Sequence, residues 1–435
     1  MPTETKEKTG LGNYFIANYP PFSFWRAENL ADARAALESP PLPETPLGLY
    51  LHIPFCRKRC KFCYFRVYTD KNARDVETYL DALAKEIELY ARLEVVGGRP
   101  LRFVYFGGGT PSFLSTRQLG ALVERISRHF SWEKAEEVTF ECEPGTLGQD
   151  KIKTIKDIGV TRLSLGIENF NDRVLEANGR AHLSAEIYRS YGWARQAGFA
   201  QINIDLIAGM VGETEENWRE CVRRAVELEP DSVTIYQMEL PFNTVFSRDI
   251  LGGSEWGVAD WDTKRRWVDY AFGELEAVGY EISSGYTVVK NRARSRFVYR
   301  DCVWHGADMI GTGVASFSYA RGVHYQNVDG WEEYVGALGR GQLPLARALK
   351  PTTRQRMIRE LVLQLKLGAV APVYFREKFG VEILQEFATV FAGYERDGFL
   401  RVDEDRVELS REGLLRVDGL LPAFFEPQHL GSRYT

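Results

Sequence analysis

A short apolar stretch followed by a stretch of helical period recurs six times between residues 48 and 278. The strands read as 48–53, 102–106, 137–141, 162–166, 202–206 and 232–237. The helices between them read as roughly 75–94, 116–130, 149–158, 183–197 and 214–228, with 263–278 after the sixth strand. Two parallel strands need a crossover between them, and a helix is the usual one, so this alternation predicts a parallel sheet with helices outside. Six units are too few to close an eight-stranded barrel. The expected fold is therefore α/β, an open partial (β/α)6 barrel. At 435 residues the chain exceeds one ordinary core and suits a large domain plus a smaller one. Four segments follow: an aromatic-rich arm over 1–45, without clear periodicity; the barrel over 46–285; an extension over 286–350; and a cap over 351–435. In the cap, helical runs near 352–366 and 382–396 precede two short strands, 399–403 and 406–409, around a turn. That pattern predicts a winged-helix-like unit that serves as a lid over the barrel mouth.

Barrels of this kind gather their chemistry at the carboxyl ends of the strands. After strand one come Cys56, Cys60 and Cys63, spaced C-x3-C-x2-C. Strand two is followed by Gly107-Gly108-Gly109-Thr110. Strand three ends on Glu141 and Glu143, strand four on Glu168 and Asn169, strand five carries Asp205, and strand six ends on Tyr236 and Gln237. Scattered surface charge would not fall at one end of so many strands. Three neighbouring thiolates can hold three irons of a 4Fe–4S cube and leave the fourth iron open. The rivals are three structural cysteines and a zinc site, which would need His52 as a fourth ligand. The three glycines let backbone approach a ligand closely. They are neither a dinucleotide fingerprint nor a phosphate loop, since no Gly-Lys-Ser/Thr follows.

Net charge is −5, so the chain shows no basic footprint for nucleic acid. No apolar run approaches the ~18–20 residues that span a bilayer, so no membrane role is expected. The polar stretch Met1–Lys8 has no signal-peptide core, and a cytoplasmic location is expected. In that compartment disulfides are rare, so Cys142, Cys221 and Cys302 read as small buried hydrophobes.

C-x3-C-x2-C directly after a strand resembles the signature of the radical S-adenosylmethionine (SAM) superfamily. The flanking Tyr50-x-His52-Ile53-Pro54-Phe55-Cys56 resembles the subgroup typified by oxygen-independent coproporphyrinogen III oxidase. The resemblance implies a 4Fe–4S cluster on Cys56, Cys60 and Cys63, and SAM chelated on the open iron. An electron from the cluster then cleaves SAM to methionine and a 5′-deoxyadenosyl radical. It also implies a reducing partner such as flavodoxin or ferredoxin, and a small-molecule substrate. By the same resemblance Tyr50, Gly107, Gly108, Gly109, Thr110 and Glu141 belong to the SAM site, the last through a Glu-x-x-Pro motif, with Glu143 read as solvated. Arg180, in Arg180-x-His182, would clamp a carboxylate; a surface arginine is the alternative. Asp205, in Asn203-x-Asp205-Leu206-Ile207, would accept the ribose hydroxyls, with structural pairing as the alternative. Gly311 and Gly313 are similar to a segment that helps to form a second SAM site, or else mark a tight turn.

Three departures bear on the reaction. Glu168 stands where the family pattern has glutamine, which removes two donors and adds a negative charge. Phe65 stands where coproporphyrinogen oxidases carry a fourth cysteine, and the stretch before Trp304 lacks the His-Asn pair of the related haem chaperones. These departures fit a third group of relatives, the two-SAM methyltransferases and cyclopropanases, with Glu168 in a catalytic role. The leading expectation is C-methylation or cyclopropanation of a small unsaturated or aromatic substrate. Decarboxylation of porphyrinogen propionates and a non-enzymatic haem carrier are the alternatives.

Overall fold

The structure is a computed structural model that describes residues 8–12, 14–253 and 257–432. Of the polar stretch Met1–Lys8, all but Lys8 lies outside the described residues. The chain folds into two compact units that interleave along the sequence, one of Trp25–Asp205 and Phe297–Lys350, the other of Met1–Phe24, Leu206–Arg296 and Pro351–Thr435. These groupings cut across the four sequence segments, because strand pairing joins stretches far apart in the chain.

The first unit opens with a helix, α1 (Leu30–Leu37), inside the arm that reads as aperiodic. Its alanine-rich sequence carries too weak an apolar stripe to announce it. Next come β1 (Leu47–Ile53), α2 (Ala73–Ala91), β2 (Leu101–Gly108), α3 (Thr116–Ser127), β3 (Glu137–Cys142), α4 (Gln149–Asp157), β4 (Arg162–Glu168), α5 (Asp172–Ala177), α6 (Ser184–Ala197) and β5 (Gln201–Ala208). The expected strands and helices are therefore present, with ends that move by a few residues. β1 to β4 pair in parallel in chain order. Parallel strands are covered on both faces, which is why β1 reads as an almost unbroken apolar run with Leu47, Leu49, Leu51 and Ile53 all buried. The helices start where side chains cap them. Asn72 accepts from the Arg74 and Asp75 amides at α2, and Ser115 with Gln118 forms a capping box at α3.

On the other side of β1 lies a strand that the sequence reading missed, Asp308–Thr312, parallel to β1 with Gly311 opposite Tyr50. Antiparallel strands Phe317–Ala320, Val323–Asn327 and Leu345–Leu349 extend the sheet outward from it. The helix Val298–Trp304 packs Val298, Tyr299 and Val303 with Phe103. Its first amides donate to Glu137 at the start of β3.

In the second unit the strand Ser232–Gln237 pairs antiparallel with Thr287–Val289, which pairs with Glu281–Ile282. Helices Glu215–Leu228 and Trp261–Ala277 join through the Trp218 indole N–H, which donates to the Trp267 carbonyl at 2.7 Å. The carboxyl-terminal part holds the helix Thr353–Leu365, the unforeseen helix Pro372–Phe379, and a three-stranded antiparallel sheet, Ala369–Val370, Val407–Leu409 and Leu400–Val402. The run expected as one helix over 382–396 breaks at Phe387, whose ψ of 27° leaves the helical range. The described part of the arm up to Phe24 packs inside this unit. Tyr14 stacks on Trp261 at 4.1 Å, and Ile16 N–H donates to Asp418. Fully buried Lys366 meets Asp418 at 2.8 Å and donates to the Ile16 carbonyl at 2.6 Å.

Candidate active site

The cysteines lie on a loop closed at its neck. Cys56 N–H donates to the Tyr68 carbonyl at 3.0 Å, and Tyr68 N–H donates to the Pro54 carbonyl at 2.7 Å. Inside the loop, Cys63 N–H donates to the Cys60 carbonyl, and Lys61 N–H reaches the Asn178 carbonyl. Two side chains aim donors at sulfur: Thr110 Oγ1 lies 3.3 Å from Cys56 Sγ, and Arg180 Nη1 lies 3.1 Å from Cys60 Sγ. The Thr110 contact favours a thiolate at Cys56. Burial works the other way, and pushes the Cys56 thiol up to about 11 and the Cys63 thiol up to about 12. A coordinating metal removes such a proton outright.

The donor set fits a three-cysteine iron–sulfur cube. Among the described residues no three His, Cys, Asp or Glu side chains converge on one ion; a cube needs no such convergence, because each thiolate serves its own iron. The zinc alternative fails on His52. Its Nδ1 lies 3.4 Å from Tyr50 Oη and its Nε2 lies 3.4 Å from the Arg66 carbonyl, so the ring is engaged away from the cysteines. Burial pushes this histidine down to about 4. Of the remaining cysteines, Cys142 and Cys221 are buried as expected and Cys302 is half-buried.

Beside the loop, the end of β2 presses against the end of β1. A Cβ on Gly108, whose φ is +109°, would lie 2.4 Å from His52 Nδ1. One on Gly109 would lie 2.9 Å from the Ile53 carbonyl oxygen. That close approach needs glycine whatever ligand is bound. Glu141 joins these pieces. Tyr105 O–H donates to its Oε1 at 2.7 Å, Gly108 N–H donates to its Oε2 at 3.2 Å, and a Cβ on Gly107 would touch the same carboxylate. Tyr105 also stacks on Tyr50 at 5.8 Å, so Tyr50, the glycines and Glu141 form one continuous patch.

At the end of β4, Glu168 adopts φ +67°, a left-handed conformation rare for a side-chain-bearing residue. Strain of this kind, about 1–3 kcal/mol, clusters at functional sites. Nothing in the sequence marks it. Arg180 is no surface arginine: its side chain is 10 % exposed. Nη2 donates to the Gly166 carbonyl at 2.6 Å, and Nη1 lies 3.7 Å from Glu168 Oε1 as well as touching Cys60. Asp205 accepts from Ser164 Oγ at 2.9 Å and from Asn203 Nδ2 at 3.0 Å, which satisfies it structurally. Burial pushes Glu141 and Glu168 up to about 7 and raises Asp205. Repulsion among the three adds to the rise at Glu141 and Glu168. Arg162, buried beneath the Phe297 ring at 4.0 Å, and Arg180 offset part of it. Three carboxylates less two guanidiniums leave one net negative charge, 3 − 2 = 1, when all are ionised.

Glu143 corrects the sequence reading. It is not solvated. It accepts two bonds from Arg57 at 3.2 Å, one from the Gly145 amide at 2.9 Å, and faces His182 Nδ1 at 2.9 Å. Burial alone would raise this carboxyl, but the His182 bond and the Arg57 charge outweigh it and hold it below the usual range. Burial also holds His182 low, so a neutral imidazole donates to Glu143 and Arg57 supplies the charge. Glu143 thereby ties the cysteine loop to the segment that carries Arg180. The signal that was available is an acidic residue immediately before Pro-Gly, a capping position.

Gly311 and Gly313 differ: Gly313 opens a turn in which Ser316 N–H donates to its carbonyl at 3.3 Å, as the turn alternative expected, and Gly311 does not. Gly311 lies in the strand beside β1, where a Cβ would meet the Phe317 carbonyl oxygen at 2.1 Å. Gly313 N–H donates to Glu86 Oε2 at 2.8 Å, and a Cβ there would lie 2.5 Å from Tyr79 Oη. Close packing calls for glycine at Gly311, and close packing together with the turn calls for it at Gly313. Glu86, pushed up to about 7 by burial, is held by Tyr334, Gly313 and Asn327.

Residues 50–225 match the model of the radical SAM superfamily, and the chain carries a radical SAM domain over that span. It is 27 % identical over 442 residues to an oxygen-independent coproporphyrinogen III oxidase of Synechocystis sp., with 96 % of this chain and 93 % of that protein covered. It is 28 % identical over 380 residues to the heme chaperone HemW of Bacillus subtilis, with 86 % and 98 % covered. The solved structure of coproporphyrinogen III oxidase HemN from Escherichia coli matches with a TM-score of 0.81 at 24 % identity, over 94 % of this chain and 96 % of that one. That likeness establishes a mixed α/β fold with a parallel sheet. The family implies a 4Fe–4S cluster and SAM. No helix among the described residues is long and apolar enough to cross a membrane.

Proposed function

We propose that the chain binds SAM against Glu141, Glu168, Asp205 and the glycines, and uses it to abstract a hydrogen atom from a small carbon substrate. When bound, cluster and SAM together supply the 5′-deoxyadenosyl radical. The observation that carries this reading is the acidic site beside the cysteines. SAM brings a sulfonium, a fixed positive charge, and the buried carboxylates offer it negative charge once they ionise. Arg180, next to Cys60, is placed to take the carboxylate of the methionine. The Gly108 and Gly109 backbone and Tyr50 shape the floor.

The likeness to coproporphyrinogen III oxidases and heme chaperones favours oxidation of a coproporphyrinogen or haem carriage. Two observations keep two-SAM methylation or cyclopropanation of an unsaturated substrate as the second reading. Phe65 replaces the fourth cysteine of the oxidases, and Glu168 adds negative charge that a polyanionic porphyrinogen would oppose. Anaerobically reconstituted protein, incubated with reductant and methyl-labelled SAM, separates the readings. Deoxyadenosine with carbon dioxide from coproporphyrinogen supports oxidation. Deoxyadenosine with S-adenosylhomocysteine supports methyl transfer. Tight haem binding with no SAM cleavage refutes the radical reading.

A further inference from the structure

We propose that the cysteine loop is itself the docking surface for an acidic one-electron carrier protein. This rests on the radical SAM reading above, which requires a reductant.

The chain as a whole is acidic, at −5. The eleven residues from Cys56 to Arg66 are the reverse: Arg57, Lys58, Arg59, Lys61 and Arg66 are basic, and none is acidic. A solvated charge run is the ordinary explanation of such a stretch, and the structure argues against it by showing how these charges are held. Arg57 is neutralised by Glu143 at 3.1 Å. Arg59 donates to the Cys63 carbonyl at 3.2 Å and Arg66 to the Asp329 carbonyl at 2.8 Å. A carbonyl fixes a guanidinium in place without cancelling its charge. Lys58 is exposed at the crown of the loop, between the first two cysteines. The positive potential is therefore fixed to the same short loop that carries the three sulfurs. The loop also carries two exposed aromatics, Tyr64 and Phe65, stacked at 4.6 Å and 38 % and 46 % exposed. Aromatic and arginine side chains are enriched at protein interfaces.

Electron tunnelling weakens steeply with distance, so a carrier must sit close to the iron–sulfur group, and entry over the loop gives the shortest route through the ligand cysteines. Redox encounters are brief and bury less than about 1,200 Å². Charge complementarity supplies their speed, with gains of roughly 10- to 1,000-fold that salt removes. The transfer balances simply. One electron leaves the reduced carrier and one enters the iron–sulfur group; no bond forms or breaks.

The test uses the reconstituted full chain, wild type and Lys58→Glu, with photoreduced flavodoxin as the probe and dithionite as a small reductant. Bleaching of the cluster absorption is followed by stopped flow, and binding is followed through chemical shifts of isotope-labelled oxidised flavodoxin. The expected result at low salt is reduction by flavodoxin about five- to tenfold slower in the variant, with weaker binding. The difference should vanish near 0.5 M salt, where charges are screened and dithionite, itself an anion, should reduce both proteins equally. A wild-type rate that does not depend on salt, or an unchanged rate in Lys58→Glu, overturns the docking surface while leaving the cluster intact. Absence of a cubane spectrum in the wild type overturns the functional reading, and the docking proposal with it.

Discussion

Replacing Glu168 by glutamine should stabilise the SAM-free protein above pH 7 and do little at low pH. The Glu168 carboxyl is pushed up to about 7 by burial, against an ordinary 4.5, with the Arg180 attraction already included. Between pH 4.5 and 7 the folded protein keeps a proton that the unfolded chain has released. Folding stability therefore falls as pH rises through that window: the contribution is whole below about 4.5 and lost above about 7. The rise from 4.5 to about 7, at 1.36 kcal/mol for each step of one in pH, is worth about 3 kcal/mol. Glutamine is neutral throughout and escapes the loss. Both side chains meet the same backbone strain at φ +67°, so that cost cancels. Urea unfolding followed by circular dichroism at pH 5 and pH 8 measures the gap. The variant should exceed wild type by up to about 3 kcal/mol at pH 8 and converge with it at pH 5. A variant no more stable than wild type at pH 8, or a gap equal at both pH values, refutes the assignment of a carboxylate raised by burial. SAM should narrow the gap, because its positive charge compensates the ionised Glu168 and not the amide.

Three further outcomes are expected. Cys60→Ala should lose the cubane absorption and all SAM cleavage after anaerobic reconstitution; retained cleavage would contradict the three-thiolate cluster. Gly108→Ala should cost about 2–6 kcal/mol in chemical denaturation, the sum of left-handed strain and a forced displacement of buried His52. Lys366→Met should cost about 3–5 kcal/mol by leaving Asp418 buried without its cation. The double variant Lys366→Met with Asp418→Leu should recover much of that loss, and an equal loss in both proteins would show that the pair is not what matters there.

The parallel strands and their helices were legible because each repeats a local pattern: an unbroken apolar run, then a capped amphipathic stretch. The cysteine spacing was legible for the same reason, since C-x3-C-x2-C is complete within eight residues. What escaped detection was either weakly patterned or decided at a distance. Helix α1 is short and rich in alanine. The strand Asp308–Thr312 becomes a strand by pairing with β1, some 260 residues earlier, and its Gly311 therefore read as part of a second SAM site or of a turn. Glu143 read as solvated because its partners, Arg57 and His182, are 86 and 39 residues away.

The sequence by itself determined the kind of fold and the kind of chemistry: alternating strands and helices, three thiols on the first strand's exit, glycines and acids on the next. Only the tertiary structure decided how those acids behave. Whether Glu141, Glu168 and Asp205 are solvated carboxylates or a buried, mutually repelling cluster depends on what surrounds them, and so does whether Arg180 meets water or the Cys60 sulfur. Burial and charge proximity are properties of three-dimensional packing, and they set the protonation and the affinity for a cation that residue identity leaves open.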